Sequence, residues 1–113
     1  MKFKTETQES VTVIALEGNL LGGPDASALV RQLNELIDAG KTRVVLDLAT
    51  VAFMNSSGLG LLINGFTTMK NAGGSLKIAN ASEKIVELFK ITRLASLIEN
   101  YPSVHAAVSS FGT

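Results

Sequence analysis

Two hydroxyls stand side by side in Met54-Asn55-Ser56-Ser57-Gly58-Leu59-Gly60, and they are the first candidates for chemistry in this chain. They follow the apolar run Val44-Val45-Leu46-Asp47-Leu48 after a short connection. They precede the segment Leu59 to Met69, whose apolar residues Leu59, Leu62, Ile63, Phe66 and Met69 recur at helical spacing. The pair therefore falls where a strand hands over to a helix, at the end where backbone N–H groups have no carbonyl partner within the helix. A hydroxyl placed there caps the helix, and the same N–H groups favour a bound or attached phosphate. Capping by Ser56 or Ser57 and the holding of a phosphate are the two readings, and they are compatible.

Catalysis by either serine finds no support. A serine nucleophile needs a neighbouring base and a third group that orients the base. The one histidine, His105, sits beside Ala106 and Ala107 on a predicted closing helix. Asn55 occupies the position two residues before Ser57 where a hydrolase elbow carries glycine. Gly58-Leu59-Gly60 lacks the third glycine of a dinucleotide fingerprint, and no complete glycine-spaced loop for cradling a nucleotide phosphate is present. Asp25, Asp38 and Asp47 are scattered without metal-ligand spacing; Asp47 reads as a strand-end carboxylate that caps nearby N–H groups. The expectation is a protein that is not an enzyme and holds no cofactor or metal.

Composition narrows the partners. The 113 residues suit one domain, 1–113, large enough to bury a core without disulfides. The absence of cysteine excludes disulfides and thiol chemistry. Ten basic and ten acidic residues cancel and form no blocks, so a footprint for nucleic acid or anionic lipid is missing. The polar start Met1-Lys2-Phe3-Lys4-Thr5-Glu6 lacks the apolar core of a signal peptide, and no apolar run approaches the roughly 20 residues of a membrane span. A cytoplasmic protein without membrane insertion is expected, one whose recognition runs through shape and apolar contact with another protein, or through a small site, rather than through a strong field.

The elements that position the serines follow from periodicity and punctuation. Phe3 to Thr7 and Val11 to Leu16 read as two strands of a hairpin around Gln8-Glu9-Ser10. Gly18 and Gly22-Gly23 end the second strand. Pro24 and Asp25 suit the first turn of a helix marked by Ala26, Leu29, Val30, Leu33, Leu36 and Ile37, with Gly40 as its stop. Thr42 to Leu48 is an interior strand. The helix after Ser57 ends at Gly73-Gly74, Ser75 to Ala79 is a short strand, and Ser82 caps a third helix carrying Ile85, Val86, Leu88 and Phe89. Leu97 to Tyr101 is a last short strand, and Val104, Ala107, Val108 and Phe111 mark a closing helix after Pro102. The order β-β-α-β-α-β-α-(β)-α predicts an α/β fold with a mixed sheet of four to five strands and about four helices. Whether the helices cover one face or two stays open at this level.

The string Val51-Ala52-Phe53-Met54-Asn55-Ser56-Ser57-Gly58-Leu59-Gly60-Leu61-Leu62 closely resembles the signature of STAS-domain anti-sigma factor antagonists, which reads aromatic or apolar, then Asp-Ser-Ser-Gly-Leu-Gly. Glu17-Gly18-Asn19-Leu20 resembles the exit of the family's second strand, Val44 to Leu48 its third strand, and Val86 to Leu94 its third helix and exit. The resemblance covers nearly the whole chain and implies a STAS-like fold.

By this resemblance the protein is a substrate and a binding module. The unmodified antagonist binds an anti-sigma factor serine kinase and so frees a sigma factor. The kinase phosphorylates the second serine of the pair, which maps onto Ser57, and a serine phosphatase resets the cycle. The implied contact surface is the loop Ala49 to Ser57, the start of the second helix and the loop Asn19 to Asp25, with Leu21, Asp25, Asn55, Ser56, Ser57, Gly58 and Leu59 as partner-binding residues. Two positions depart from the family. Asn55 replaces the usual aspartate, keeping an acceptor and losing a charge, and Leu21 stands near where many members have aspartate. The alternative is a non-switching STAS scaffold in a sensor assembly or a transport complex.

Overall fold

The computed structural model describes residues 2–21 and 24–111, without the side chains of Lys2, Pro24, Asp25 and Ala26. The Gly22-Gly23 stop lies outside the described residues. Strands β1 (Lys2–Gln8) and β2 (Val11–Glu17) are followed by α1 (Pro24–Asp38), β3 (Arg43–Thr50), α2 (Ser56–Asn71), β4 (Ser75–Ala79), α3 (Glu83–Ile91), a short 3-10 turn (Leu94–Ser96), β5 (Asn100–Tyr101) and α4 (Val104–Ser110). The element order matches the one read from the sequence.

The sheet order is β1-β2-β3-β4-β5, antiparallel between β1 and β2 and parallel thereafter. Glu9 and Ser10 both take positive φ, 48° and 66°, and close the β1–β2 hairpin as a two-residue turn of the primed type. No Asn-Gly or Asp-Gly pair announces this turn. The twist of the flanking strands imposes it.

Strand register decides the layers. Ile14, Leu46 and Ile78 align across β2, β3 and β4 and point into the main core with Leu29, Leu33, Leu62, Met69, Ile85 and Phe89. Their neighbours Val13, Val45 and Ala79 point the other way, into a smaller core with Ala107 and Val108. Helices α1, α2 and α3 therefore cover one face, and α4 covers part of the other, which answers the question the sequence left open. Gly40 and Gly73, both at φ +79°, end α1 and α2 with paired backbone bonds, Gly40 N–H to Ile37 and Lys41 N–H to Leu36, Gly73 N–H to Lys70 and Gly74 N–H to Met69.

Several boundaries differ from those expected from the sequence. Strand β3 runs on to Thr50, and α2 begins at Ser56 rather than after Ser57. The last strand keeps only Asn100–Tyr101, because the Leu97 and Ile98 N–H groups both donate to the Leu94 carbonyl and hold that stretch in a turn.

Candidate functional site

The serine pair sits at the carboxyl ends of the parallel strands, where loops leave the sheet for helices. After β3, the Val51 N–H turns back to the Leu48 carbonyl, and Val51 and Met54 insert into the core. Phe53 between them stays 53% exposed. The loop after β2 is tied to this segment: Leu20 donates its N–H to the Phe53 carbonyl at 3.0 Å, and the Asn55 N–H donates to the Leu20 carbonyl at 3.2 Å. The two loops form a parallel bridge, Leu20 against Met54, that extends the β2–β3 pairing past the strand ends.

Asn55 then starts α2. Its backbone is extended (φ −100°, ψ −176°), and its Oδ1 accepts the Gly58 N–H at 2.8 Å while its carbonyl accepts the Leu59 N–H. The cap is therefore Asn55, which corrects the reading of Ser56 or Ser57 as the cap. The reason is register: the helix starts at Ser56 rather than after Ser57, so the serines occupy its first two positions. There their N–H groups have no carbonyl partner within the helix and their hydroxyls are free to face solvent. Both serines are exposed, and no acidic residue lies in the first turn.

Of the residues the sequence singled out, Asn55, Ser56, Ser57 and Leu21 come together at this end of the molecule. Leu21 is 48% exposed beside the Leu20 bridge. Asp25 opens α1, and its side chain lies outside the described part. Gly58 and Leu59 are buried, so they shape the surface from beneath rather than line it. At Gly58 the cause is space: an added Cβ would overlap the Leu20 carbonyl oxygen.

Supporting contacts surround the loop. The Thr50 hydroxyl donates to the Leu16 carbonyl at 3.0 Å. Asp47 Oδ1 accepts from the Ala49 N–H and from Asn80 Nδ2, both at 3.0 Å, joining the ends of β3 and β4 as a satisfied strand-end carboxylate. Asn80 takes φ +60° to reach it. Phe53 also walls a cleft of about 210 Å³ with Ala52, Met54, Lys84, Ile85 and Leu88. Phe53 and Leu20 lie within the two loops expected to form the contact surface but are not singled out individually by the sequence; an aromatic side chain in a loop beside small Ala52 was the available signal. Gly40-Lys41-Thr42 carries the ending of a phosphate loop, but it precedes β3 at the opposite end of the sheet. Among the described residues, no cluster of acidic and histidine side chains has the makings of a metal site, and no helix is long and apolar enough to cross a membrane.

A five-stranded mixed sheet with a serine pair at the start of its second helix defines a STAS domain. The STAS domain family matches residues 2–107, and the chain belongs to it. An anti-sigma-B factor antagonist of Bacillus subtilis is 44% identical over 52 residues, which are 46% of this chain and 48% of that protein. The match thus spans about half the length of that relative. An anti-sigma F factor antagonist of Paenibacillus polymyxa is 25% identical over 103 residues, 89% of this chain and 86% of that protein. The Bacillus cell fate determinant SpoIIAA, solved in its phosphorylated form, superposes with a TM-score of 0.72 at 20% identity, covering 97% of this chain and 99% of that one.

Proposed function

We propose that the chain is an anti-sigma factor antagonist controlled by phosphorylation at Ser57. Unphosphorylated, it binds an anti-sigma factor serine kinase and releases a sigma factor. The kinase transfers the γ-phosphoryl group of ATP to Ser57 Oγ, ADP leaves, and the hydroxyl proton passes to a base of the kinase. A serine phosphatase reverses the modification. The protein supplies a surface and a hydroxyl, and the catalytic groups belong to its partners.

The observation that carries this reading is the exposed Ser57 on a helix start whose cap is supplied by another residue, with exposed Leu21 and Phe53 on the flanking loops. A hydroxyl free of capping duty is open to an incoming kinase, and the apolar neighbours suit a protein contact. The names of the relatives support the same role.

The switch is local electrostatics. A phosphate adds about −1.5 to −2 charge beside helix N–H groups that tolerate it. The same charge in an interface fitted to a neutral hydroxyl costs several kcal/mol to desolvate, on the order of magnitude of buried unpaired charges. A loss of about 3 kcal/mol is more than a hundredfold in affinity.

The test is incubation with the cognate kinase and ATP, followed by phosphosite mapping by mass spectrometry, beside pull-downs of wild type and Ser57→Asp. Phosphate at Ser57 and loss of the kinase from Ser57→Asp are expected. Equal retention of the same partner by both proteins would point instead to a non-switching scaffold.

A further inference from the structure

Strand β1 is an edge: the sheet order places it outside β2, with no strand on its other side among the described residues. It offers seven residues, against two in β5 at the opposite edge. Gln8 and Val11 close the Glu9-Ser10 turn. In such a hairpin the closing pair exchanges both backbone bonds, and bonded and non-bonded pairs alternate from there. Lys4, Glu6 and Gln8 therefore bond inward to β2, while Phe3, Thr5 and Thr7 present N–H and C=O groups to the open edge. An unpaired row of this length is a template for another strand.

We propose that β1 pairs antiparallel with β1 of a second copy of this chain, about a two-fold axis through Thr5. The charges select both the partner and the register. Lys4 and Glu6 lie two apart on the sheet face that α4 covers in part, opposite Ala15 and Val13 of β2. An axis through Lys4 would set Lys4 against itself, and an axis through Glu6 would set two carboxylates together. An axis through Thr5 sets Lys4 of each copy opposite Glu6 of the other, twice over. The exposed backbone groups agree with it: Thr5 pairs with Thr5, and Phe3 with Thr7, making about six new backbone hydrogen bonds.

In this register Lys4 and Glu6 form the non-bonded pair of the ladder, where side chains approach most closely. Lys4 reaches inward to Glu17 of β2 at 3.2 Å with its side chain 78% exposed, so pairing requires it only to swing outward to Glu6 of the second copy, while Gln8 Nε2 donates to Glu6 at 2.9 Å and holds that carboxylate along the edge. Charged residues on an edge commonly blunt it against pairing; here the two signs are spaced so that a second copy satisfies both. The two five-stranded sheets become continuous. Because the strands run antiparallel, the two Ser57 surfaces face opposite ends and both stay open. Two seven-residue strands make a small interface, so the dimer is weak and reversible.

Sedimentation equilibrium up to about 1 mM protein tests the pairing, the concentration range that small interfaces require. A concentration-dependent dimer is expected. Lys4→Glu, with its fold checked by circular dichroism, should weaken it by about tenfold, since both cross-strand pairs become repulsive. The double variant Lys4→Glu with Glu6→Lys should return it to within about threefold of wild type. The absence of native cysteine allows a register test. Thr5→Cys should oxidise to a disulfide-linked dimer, its Cα atoms about 5.5 Å apart. Thr7→Cys should not, its copies lying about 14 Å apart. A monomer across the whole range, a dimer indifferent to Lys4→Glu, or equal cross-linking of the two cysteine variants would each overturn the proposal.

Discussion

The carbonyl of Leu20 rests against Gly58 so closely that a Cβ on Gly58 would overlap its oxygen and lie 2.8 Å from its carbon. That carbonyl also accepts the Asn55 N–H, so one backbone group joins the loop after β2 to both the cap and the first turn of α2. The contact fixes where the helix begins, and with it which residues of the motif face outward.

Gly58→Ala is expected to destabilise the fold by about 1–3 kcal/mol, because displacing the Leu20 loop outweighs the better helix propensity of alanine. Gly60→Ala, where an added Cβ meets nothing within 4 Å, is expected to be neutral or to stabilise by up to about 1 kcal/mol. Urea unfolding of the two variants side by side measures the difference.

Asn55→Ala removes the acceptor that caps α2 and is expected to cost about 1 kcal/mol. Asn55→Asp keeps the acceptor and adds a charge at the helix start, which should stabilise by about 0.3–1 kcal/mol at low ionic strength and less in salt. Unfolding curves at two salt concentrations check both statements.

Ser57→Ala is expected to change stability by less than about 0.5 kcal/mol, since the hydroxyl is exposed and the cap is Asn55. The same variant should incorporate no phosphate at this position when treated with kinase and ATP. A stability loss of about 1 kcal/mol would mean that the hydroxyl does carry capping energy.

Lys77 is a buried cation under α4. Its Nζ donates to Ser110 Oγ at 2.8 Å, lies 4.2 Å from the centre of the Phe111 ring and pairs with Glu99 at 3.6 Å. Lys77→Ala should loosen α4 and cost about 1–3 kcal/mol, from the lost hydrogen bond and cation–π contact. Hydrogen exchange across 104–110 should accelerate, while exchange in α2 should stay near that of wild type.

Local rules place the helix that carries the serines, and a distant carbonyl decides its cap. Helical spacing located α2, and the free helix start made the serines candidates. Which residue caps the helix depends on where the chain turns, and Leu20, remote in sequence, sets that turn. Gly58 was expected on the contact surface, yet it is buried against the Leu20 carbonyl, which leaves no room for a Cβ. Leu97 and Ile98 show the same limit: their composition suits a strand, but the Leu94 carbonyl captures their N–H groups.

By itself the sequence determined the element order, the apolar faces of α1, α3 and α4, the carboxylate role of Asp47 and the family signature around Ser57, because periodicity, punctuation and motif spacing are local properties of the chain; on α2 the spacing put Ile63 on the core face, whereas Ile63 is exposed and Leu61 is buried. Only the tertiary structure decided that three helices share one face while α4 takes the other, that Asn55 rather than a serine caps α2, and that Gly58 is pressed against the Leu20 carbonyl. These depend on strand register and on backbone groups brought close from far apart in the chain, and no window of neighbouring residues contains them.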